Sequence, residues 1–300
     1  LPVVLAHTAH EIGTGWLVFT LYMVLCLVVF DLFRLFNFPF KYGFYTSLFL
    51  TLSLLSYGYY NYQHPKTEVI NIVFNKPAVH NQQPLKVVSV SDIHLGYGTD
   101  KEELKQYVEM INAQEPDLIL IGGDLIDNSV VPLYEEKMME ELAELKAPLG
   151  IYMVPGNHEY ISGIRKSMQF INETPIRLLR DEIVTLPGGI QIIGRDDRSN
   201  TSRLSLQELA KNIDPAKPVI LLDHQPYDLS DTEKAGIDLQ FSGHTHRGQV
   251  WPISLITDHL FDQSYGYRKW GNSHIYVSSG LSTAFQDRYR QRTCRIQHYV

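Results

Sequence analysis

Residues 118–127 read LILIGGDLID, four apolar residues followed by two glycines and then by two aspartates. A short apolar run bounded by glycine is typical of a buried strand, such as those of a parallel sheet. Asp124 and Asp127 follow just beyond the carboxyl end of this predicted strand. Open α/β sheets bind their ligands at this end of their strands. The segment therefore predicts a sheet strand that delivers carboxylates to a site.

Four further apolar runs are followed by Asp, Asn or His in the same way. Segments with helical spacing of apolar residues, such as 101–113 and 134–145, lie between several of the runs. Strands that alternate with helices predict an α/β fold with a sheet largely covered by helices. The four run-and-motif pairs are 85–90 with SDIH (91–94), 151–154 with PGNHE (155–159), 219–222 with DHQP (223–226), and 237–241 with SGHTH (242–246).

Each of these short motifs, taken singly, has a plain structural explanation. Asp127 is explained as a helix N-cap, Asn157 as a turn residue and His224 as a neutral core histidine. His244 and His246 form the most specific fragment, because residues i and i+2 of an extended segment point to one side. Five strands that all end in such residues favour one shared site over five unrelated coincidences.

The residues at the strand ends are too many for a single metal ion that stays open to substrate. Two ions about 3.5–4 Å apart, bridged by one carboxylate, would use them all, and a hydroxide between such ions is a strong nucleophile. Mixed imidazole and carboxylate ligands suit Mn, Fe or Zn. His158 is not needed as a ligand and is available to protonate the leaving group. The candidate metal ligands are Asp92, His94, Asp124, Asn157, His224, His244 and His246.

The first 60 residues differ from the rest of the chain in composition. Residues 12–30 carry no charge and are long enough to span a bilayer, and a second uncharged run covers 43–60. We predict a membrane segment over 1–60, with helices at about 12–34 and 43–60, a linker over 61–65 and a catalytic domain over 66–300. The charged residues of the first 60 are Glu11, Asp31, Arg34 and Lys41.

Charge gives an expected orientation and excludes one class of partner. The loop between the two uncharged runs holds Arg34 and Lys41, and no Lys or Arg precedes the first run. The positive-inside tendency would place this loop in the cytoplasm and the catalytic domain outside it. The formal net charge of −7 argues against a protein that coats nucleic acid, which would need a basic face.

The five motifs, in the order DxH, GDxxD, GNHE, a lone His after a strand and GHxH, resemble those of the calcineurin-like metallophosphoesterase superfamily. All five are complete between Ser91 and His246, and the resemblance covers about residue 66 to the C-terminus. It implies a four-layer α-β-β-α sandwich with His158 as the catalytic acid. It also implies one metal ion on Asp92, His94, Asp124 and His246, and a second on Asp124, Asn157, His224 and His244, with Asp124 bridging.

The sequence SGHTHRGQVWP at 242–252, with LLDHQP at 221–226, is similar to bacterial membrane-associated members related to the UDP-diacylglucosamine hydrolases. Tyr160 and Ile161 after GNHE depart from the pattern of the protein Ser/Thr phosphatases. A membrane anchor favours a lipid or envelope substrate, since tethering raises the local concentration of membrane-bound phosphoesters. We therefore expect a phosphodiesterase of the bacterial inner membrane that cleaves a phosphodiester or pyrophosphate-linked substrate, with lipids among the candidates. The alternatives are a phosphomonoesterase and a non-catalytic metal-binding scaffold.

Overall fold

The computed structural model describes residues 3–37, 40–65, 67–74, 76, 84–281 and 291–296 of the 300-residue chain. The chain divides into a helical unit that ends at His64 and a second unit that begins at Pro65.

The helical unit consists of two helices, α1 (Val3–Leu35) and α2 (Gly43–Tyr62), that pack against each other. A Cβ on Gly43 would lie 3.3 Å from Phe30, so the helices approach closely at this end. Within the described part of the chain, one helix, over Leu5–Leu35, is long and apolar enough to cross a membrane. The predicted helix at 43–60 is present as α2, but its serines, threonines and tyrosines make it less apolar than a helix that meets this test. The expectation of two membrane-spanning helices is therefore supported for α1 only.

The second unit is built on two six-stranded sheets. The inner strands of each sheet are parallel, so their carboxyl ends meet at one edge. The first sheet has the order β1 (Thr67–Ile72), β12 (Gln291–Ile296), β2 (Leu85–Val90), β3 (Leu118–Ile121), β4 (Ile151–Met153) and β5 (Ile176–Leu178). The second has the order β10 (Gly266–Trp270), β11 (Ser273–Val277), β9 (Leu239–Ser242), β8 (Val219–Leu222), β7 (Gln191–Gly194) and β6 (Glu182–Thr185).

Alternate residues of the central strands face two different cores, which gives the second unit four layers. Leu118 and Leu120 of β3 pack against Ile220 and Leu222 of β8 between the sheets. Ile119 and its neighbours on the opposite face of the first sheet pack against helices, and the outer face of the second sheet does the same. Burial on both faces explains why these strands are continuous apolar runs. The predicted α/β fold with a helix–sheet–sheet–helix sandwich is confirmed.

The helices of this unit are short. The predicted helix over 134–145 is wrong as one element, because Lys137 has a φ of 56° and separates α4 from α5. A left-handed residue cannot continue an α-helix, so the apolar spacing crosses a break. The helices are α3 (Lys101–Asn112), α4 (Val131–Glu135), α5 (Met139–Leu142), α6 (Asn157–Ile161), α7 (Ile164–Asn172), α8 (Leu206–Ala210), α9 (Leu229–Lys234) and α10 (Ile253–Leu260), with a 3₁₀ turn at His246–Gly248.

Candidate metal centre

The eight predicted site residues all lie just beyond the carboxyl ends of five strands, three in the first sheet and two in the second. The loops after β2 and β3 are joined by backbone hydrogen bonds, since Asp92 N donates to Gly123 O and His94 N to Asp124 O, both at 3.0 Å. Several of these residues have a positive φ, a conformation that non-glycine residues seldom adopt and that clusters at functional sites. The residues with positive φ are Asp92, His94, Asp124, His244 and His246.

One group of potential ligand atoms joins the loop after β2 to the loop after β9. His246 Nε2 lies 3.3 Å from Asp92 Oδ1 and 3.0 Å from His94 Nε2. His94 Nε2 is in turn 3.9 Å from Asp124 Oδ2. Asp92 and Asp124 are fully buried, so the group is an enclosed set of two carboxylates and two imidazoles.

A second group lies on the other side of Asp124. His224 Nε2 is 3.1 Å from Asp124 Oδ2 and 3.2 Å from Asn157 Oδ1. His244 Nδ1 is 2.8 Å from the same Asn157 oxygen. Asp124 Oδ2 therefore faces histidines of both groups, so the structure brings all seven predicted ligands together around one shared carboxylate.

The donor set fits divalent metal ions. His224 Nδ1 lies 2.7 Å from the Gly122 carbonyl oxygen. Since a carbonyl only accepts, Nδ1 donates, and Nε2 is the ring atom left on the side of Asp124 and Asn157, where a metal ion would bind. A second hydrogen bond of this kind is the usual support of a metal-binding histidine. The ligand atoms within each of the groups Asp92–His94–His246 and Asp124–His224–His244 all lie within 4.8 Å of one another.

Close packing of the two loops depends on glycine. Gly123 has a φ of +92°, and a Cβ there would lie 2.6 Å from His224 Nδ1. A Cβ on Gly156 would lie 2.1 Å from Asp124 Oδ1. A side chain at Gly123 would collide with His224, and a side chain at Gly156 would collide with Asp124. The GGD and GNH motifs therefore require glycine at these two positions.

Burial and the neighbouring charges shift the pKa values of the side chains in both groups. Burial alone lowers the pKa of His224, but the adjacent Asp124 carboxylate outweighs burial and raises the pKa of His224 to about 10. Burial opposes the charge on Asp124, yet His224 and His94 hold the pKa of Asp124 below its usual range. Burial lowers the pKa of His246 to about 4. Ionised carboxylates among buried imidazoles are the environment that a divalent cation requires.

His158 lies beside the two groups and is more exposed than the buried carboxylates. Its backbone N donates to Asp124 Oδ1 at 2.9 Å, and its Nδ1 lies 3.1 Å from Asp127 Oδ1. Burial opposes the charge on His158, but Asp127 outweighs it and raises the pKa of His158. His158, His94 and Asp124 also have potential ligand atoms within 4.8 Å of one another, so its position alone allows a ligand role as well.

Asp127 is a site residue that the sequence interpretation missed. The expected role as a helix N-cap is wrong, because α4 begins at Val131 and the Asp127 carboxylate faces His158 and, at 3.5 Å, His94 Nδ1. These histidines hold the pKa of Asp127 below its usual range, although burial opposes this. The second aspartate of GDxxD was a signal for this role, but its partner lies 31 positions further along the chain.

Glu159, also missed, connects the two ligand loops. Its buried carboxylate accepts hydrogen bonds from Gly156 N at 2.7 Å, Ile126 N at 2.9 Å and Asp124 N at 3.0 Å. Burial and then the Asp124 carboxylate raise the pKa of Glu159 to about 7. Three backbone donors from two loops therefore meet at one side chain.

We expect Glu159→Gln to lower the free energy of unfolding by about 1–3 kcal/mol, because an amide NH₂ would face backbone N–H groups and leave buried donors unsatisfied. Thermal unfolding of the detergent-solubilised chain would measure this effect. Glu144→Gln, at an exposed site, is the matched control and should be neutral. Equal stability of the two variants would contradict the role given to Glu159.

Comparison with known proteins identifies relatives in bacteria and animals. A family model described as calcineurin-like phosphoesterase matches residues 85–248. An uncharacterized metallophosphoesterase of Helicobacter pylori strain J99 is 37% identical over 242 residues, which cover 76% of this chain and 63% of the relative. One from Aquifex aeolicus is 33% identical, covering 66% of this chain and 78% of the relative. A Bos taurus transmembrane protein with metallophosphoesterase domain is 31% identical, covering 68% and 51%. The chain thus spans less than two thirds of the Helicobacter and Bos relatives.

Proposed function

Because this chain belongs to the calcineurin-like phosphoesterase family of metal-dependent phosphoric ester hydrolases, we propose that it is a membrane-anchored two-metal enzyme that cleaves phosphodiester or pyrophosphate bonds. The observation that carries the proposal is the pair of ligand groups that share Asp124 Oδ2. Their mixture of carboxylate, amide and imidazole atoms favours Mn, Fe or Zn. The proposed catalytic domain covers residues 66–300, after a membrane segment over 1–60 and a linker over 61–65.

The proposed ligand sets follow the two groups. Asp124 would bridge the ions because its Oδ2 faces His94 on one side and His224 on the other. Bound divalent cations supply a deprotonated water near neutral pH and neutralise charge on the phosphoryl oxygens. The first proposed set is Asp92, His94, Asp124 and His246, and the second is Asp124, Asn157, His224 and His244.

The proposed role of His158 is to hold a proton at the edge of the site and to give it to the leaving oxygen. Asp127 supports this role, since its carboxylate lies 3.1 Å from His158 Nδ1 and favours the protonated ring. The hydrogen bond from the His158 backbone to Asp124 Oδ1 ties the acid to the proposed bridging carboxylate. The proton donor and the metal ligands would therefore move as one unit.

Membrane attachment rests on α1, and we propose that α2 enters the bilayer with it. α2 packs along α1 as the second arm of a hairpin, with Thr51 hydrogen-bonded to Met23 at 3.9 Å. Its outward side chains include Phe44 and Phe49. If both helices cross a bacterial inner membrane with Arg34 and Lys41 in the cytoplasm, the catalytic domain lies on the outer side. A lipid or envelope phosphoester would then be the nearest substrate class.

We expect the detergent-solubilised chain, stripped of metal and resupplied with Mn, to hydrolyse bis-p-nitrophenyl phosphate in preference to p-nitrophenyl phosphate. The stripped chain should be inactive, because no side chain described in the site substitutes for the charge that the cations supply. A preference for the monoester would favour the phosphomonoesterase alternative. Bound metal without hydrolysis of either ester would favour the non-catalytic scaffold.

A further inference from the structure

Helix α10 turns its apolar side chains away from the protein. A surface helix of a water-soluble domain normally buries its apolar stripe, but here the buried member is Thr257, 8% exposed. The apolar residues form an outward surface that we call the α10 apolar face. Its members are Trp251 (56% exposed), Ile253 (41%), Leu255 (60%), Ile256 (59%) and Leu260 (68%).

The polar side of α10 holds the helix in this orientation. Gly248 has a φ of +75°, and a Cβ there would lie 2.6 Å from Thr257 Oγ1 and 2.7 Å from Ser254 N. The Ser264 hydroxyl also donates to the Asp258 carboxylate, which ties the following loop to the helix. The contact with Gly248 leaves no room for Leu or Ile on the inner side. The outward apolar face is therefore built into the packing of this helix.

The area of the face does not suit a second copy of the chain. Five side chains that are each about half exposed offer less area than the roughly 800 Å² that each partner buries in a stable protein interface. The exposed side of α10 also carries His259, between Leu255 and Ile256 around the helix. A surface dominated by Trp, Leu and Ile is nevertheless typical of helices that lie in the membrane interface. The five members of the face carry no charge, and Trp is the side chain most characteristic of that interface.

The connection that follows α2 limits how far the second unit can lie from the bilayer. Residues 63–66 join the end of α2 to the start of β1. At about 3.5 Å per residue, this connection reaches at most about 18 Å, which keeps the second unit at the surface of the membrane that α1 enters.

We propose that the α10 apolar face inserts into the interfacial region of the bilayer and holds the metal centre at the membrane surface. His246 lies in the 3₁₀ turn that packs against α10, and Phe261, directly after the helix, lies 6.2 Å from the His244 ring. Membrane contact would thus position the loop that carries two proposed metal ligands. This inference rests on the proposed membrane attachment and not on the proposed reaction.

Nitroxide quenching tests the proposal on the full chain in nanodiscs that hold one copy each. A fluorescent label on Ile256→Cys, in a background with Cys26→Ser and Cys294→Ser, should lose its emission when the lipids carry nitroxide groups. The matched control is Glu144→Cys, which is exposed and precedes β4 at the amino end of the strands. Its label should keep its emission. A label on native Cys26 of α1, with Cys294→Ser, reports on the anchor itself.

Each outcome decides the proposal. Quenching at 256 and 26 but not at 144 supports it, whereas quenching at 26 alone overturns it and leaves the anchor intact. Quenching at neither 256 nor 26 overturns the inference together with membrane attachment. If the 256 label is unquenched in one-copy discs but becomes buried when two copies share a disc, the face is a dimer contact. None of these readings depends on hydrolysis.

Discussion

Replacing Asp124 by asparagine is expected to abolish hydrolysis and to release both metal ions. Asp124 Oδ2 lies 3.1 Å from His224 Nε2 and 3.9 Å from His94 Nε2, so it is the group that the two proposed ligand sets share. A neutral amide of the same shape keeps the packing but removes the charge that would bridge the cations. We expect turnover to fall by at least about 10³-fold, equivalent to about 4 kcal/mol of transition-state stabilisation.

Metal content and turnover, measured on the same preparation, separate this effect from a loss of folding. Asp214→Asn is the matched control, because Asp214 accepts a hydrogen bond from Ala216 N at an exposed turn before the amino end of β8, whereas the proposed ligands follow the carboxyl ends of the strands. The control should keep both ions and full activity. An Asp124→Asn protein that is folded and still binds two ions would contradict a bridging role. Retention of one ion would assign Asp124 to a single site.

The sequence was sufficient to predict that the proposed ligand residues lie together, because each follows an apolar strand and parallel strands end at one edge. The sequence could not show which side chains of distant loops lie in contact. His94 and His246 are 152 positions apart, yet their Nε2 atoms lie 3.0 Å from each other across the two sheets. The division of seven residues into two ligand sets around Asp124 came from the family resemblance and stays a prediction, since His94, Asp124 and His158 also have potential ligand atoms within 4.8 Å of one another.

Residues that act through a neighbour were harder to predict than residues that form a strand-end motif. Glu159 is a single acidic residue after GNH, and its three backbone partners are visible only once the loops are folded. The break at Lys137 was not predicted, because regular apolar spacing does not reveal a residue with a left-handed backbone conformation. For α10, the amphipathic pattern is visible in the sequence, but which side faces the protein is decided by the contact with Gly248.

Removing the imidazole of His158 should separate catalysis from metal binding. We expect His158→Asn to keep both ions and to lose about 10²–10⁴-fold in turnover on esters with a poor leaving group, the usual contribution of a general acid. The loss should be smaller on nitrophenyl esters, because nitrophenolate departs without a proton. Rates on a series of aryl and alkyl esters, with metal content measured in parallel, test this prediction.

Asp127→Asn provides the matched comparison, because Asp127 acts on the reaction through His158. Its carboxylate raises the pKa of His158, so the amide should lower that pKa and move the alkaline limb of the pH–rate profile to lower pH. The limb moves to lower pH because a general acid works only in its protonated form, which is lost above its pKa. The His158→Asn variant should lack this limb. Loss of metal from His158→Asn would instead place His158 among the ligands with His94 and Asp124, and Asp127 would then be a support of that metal site.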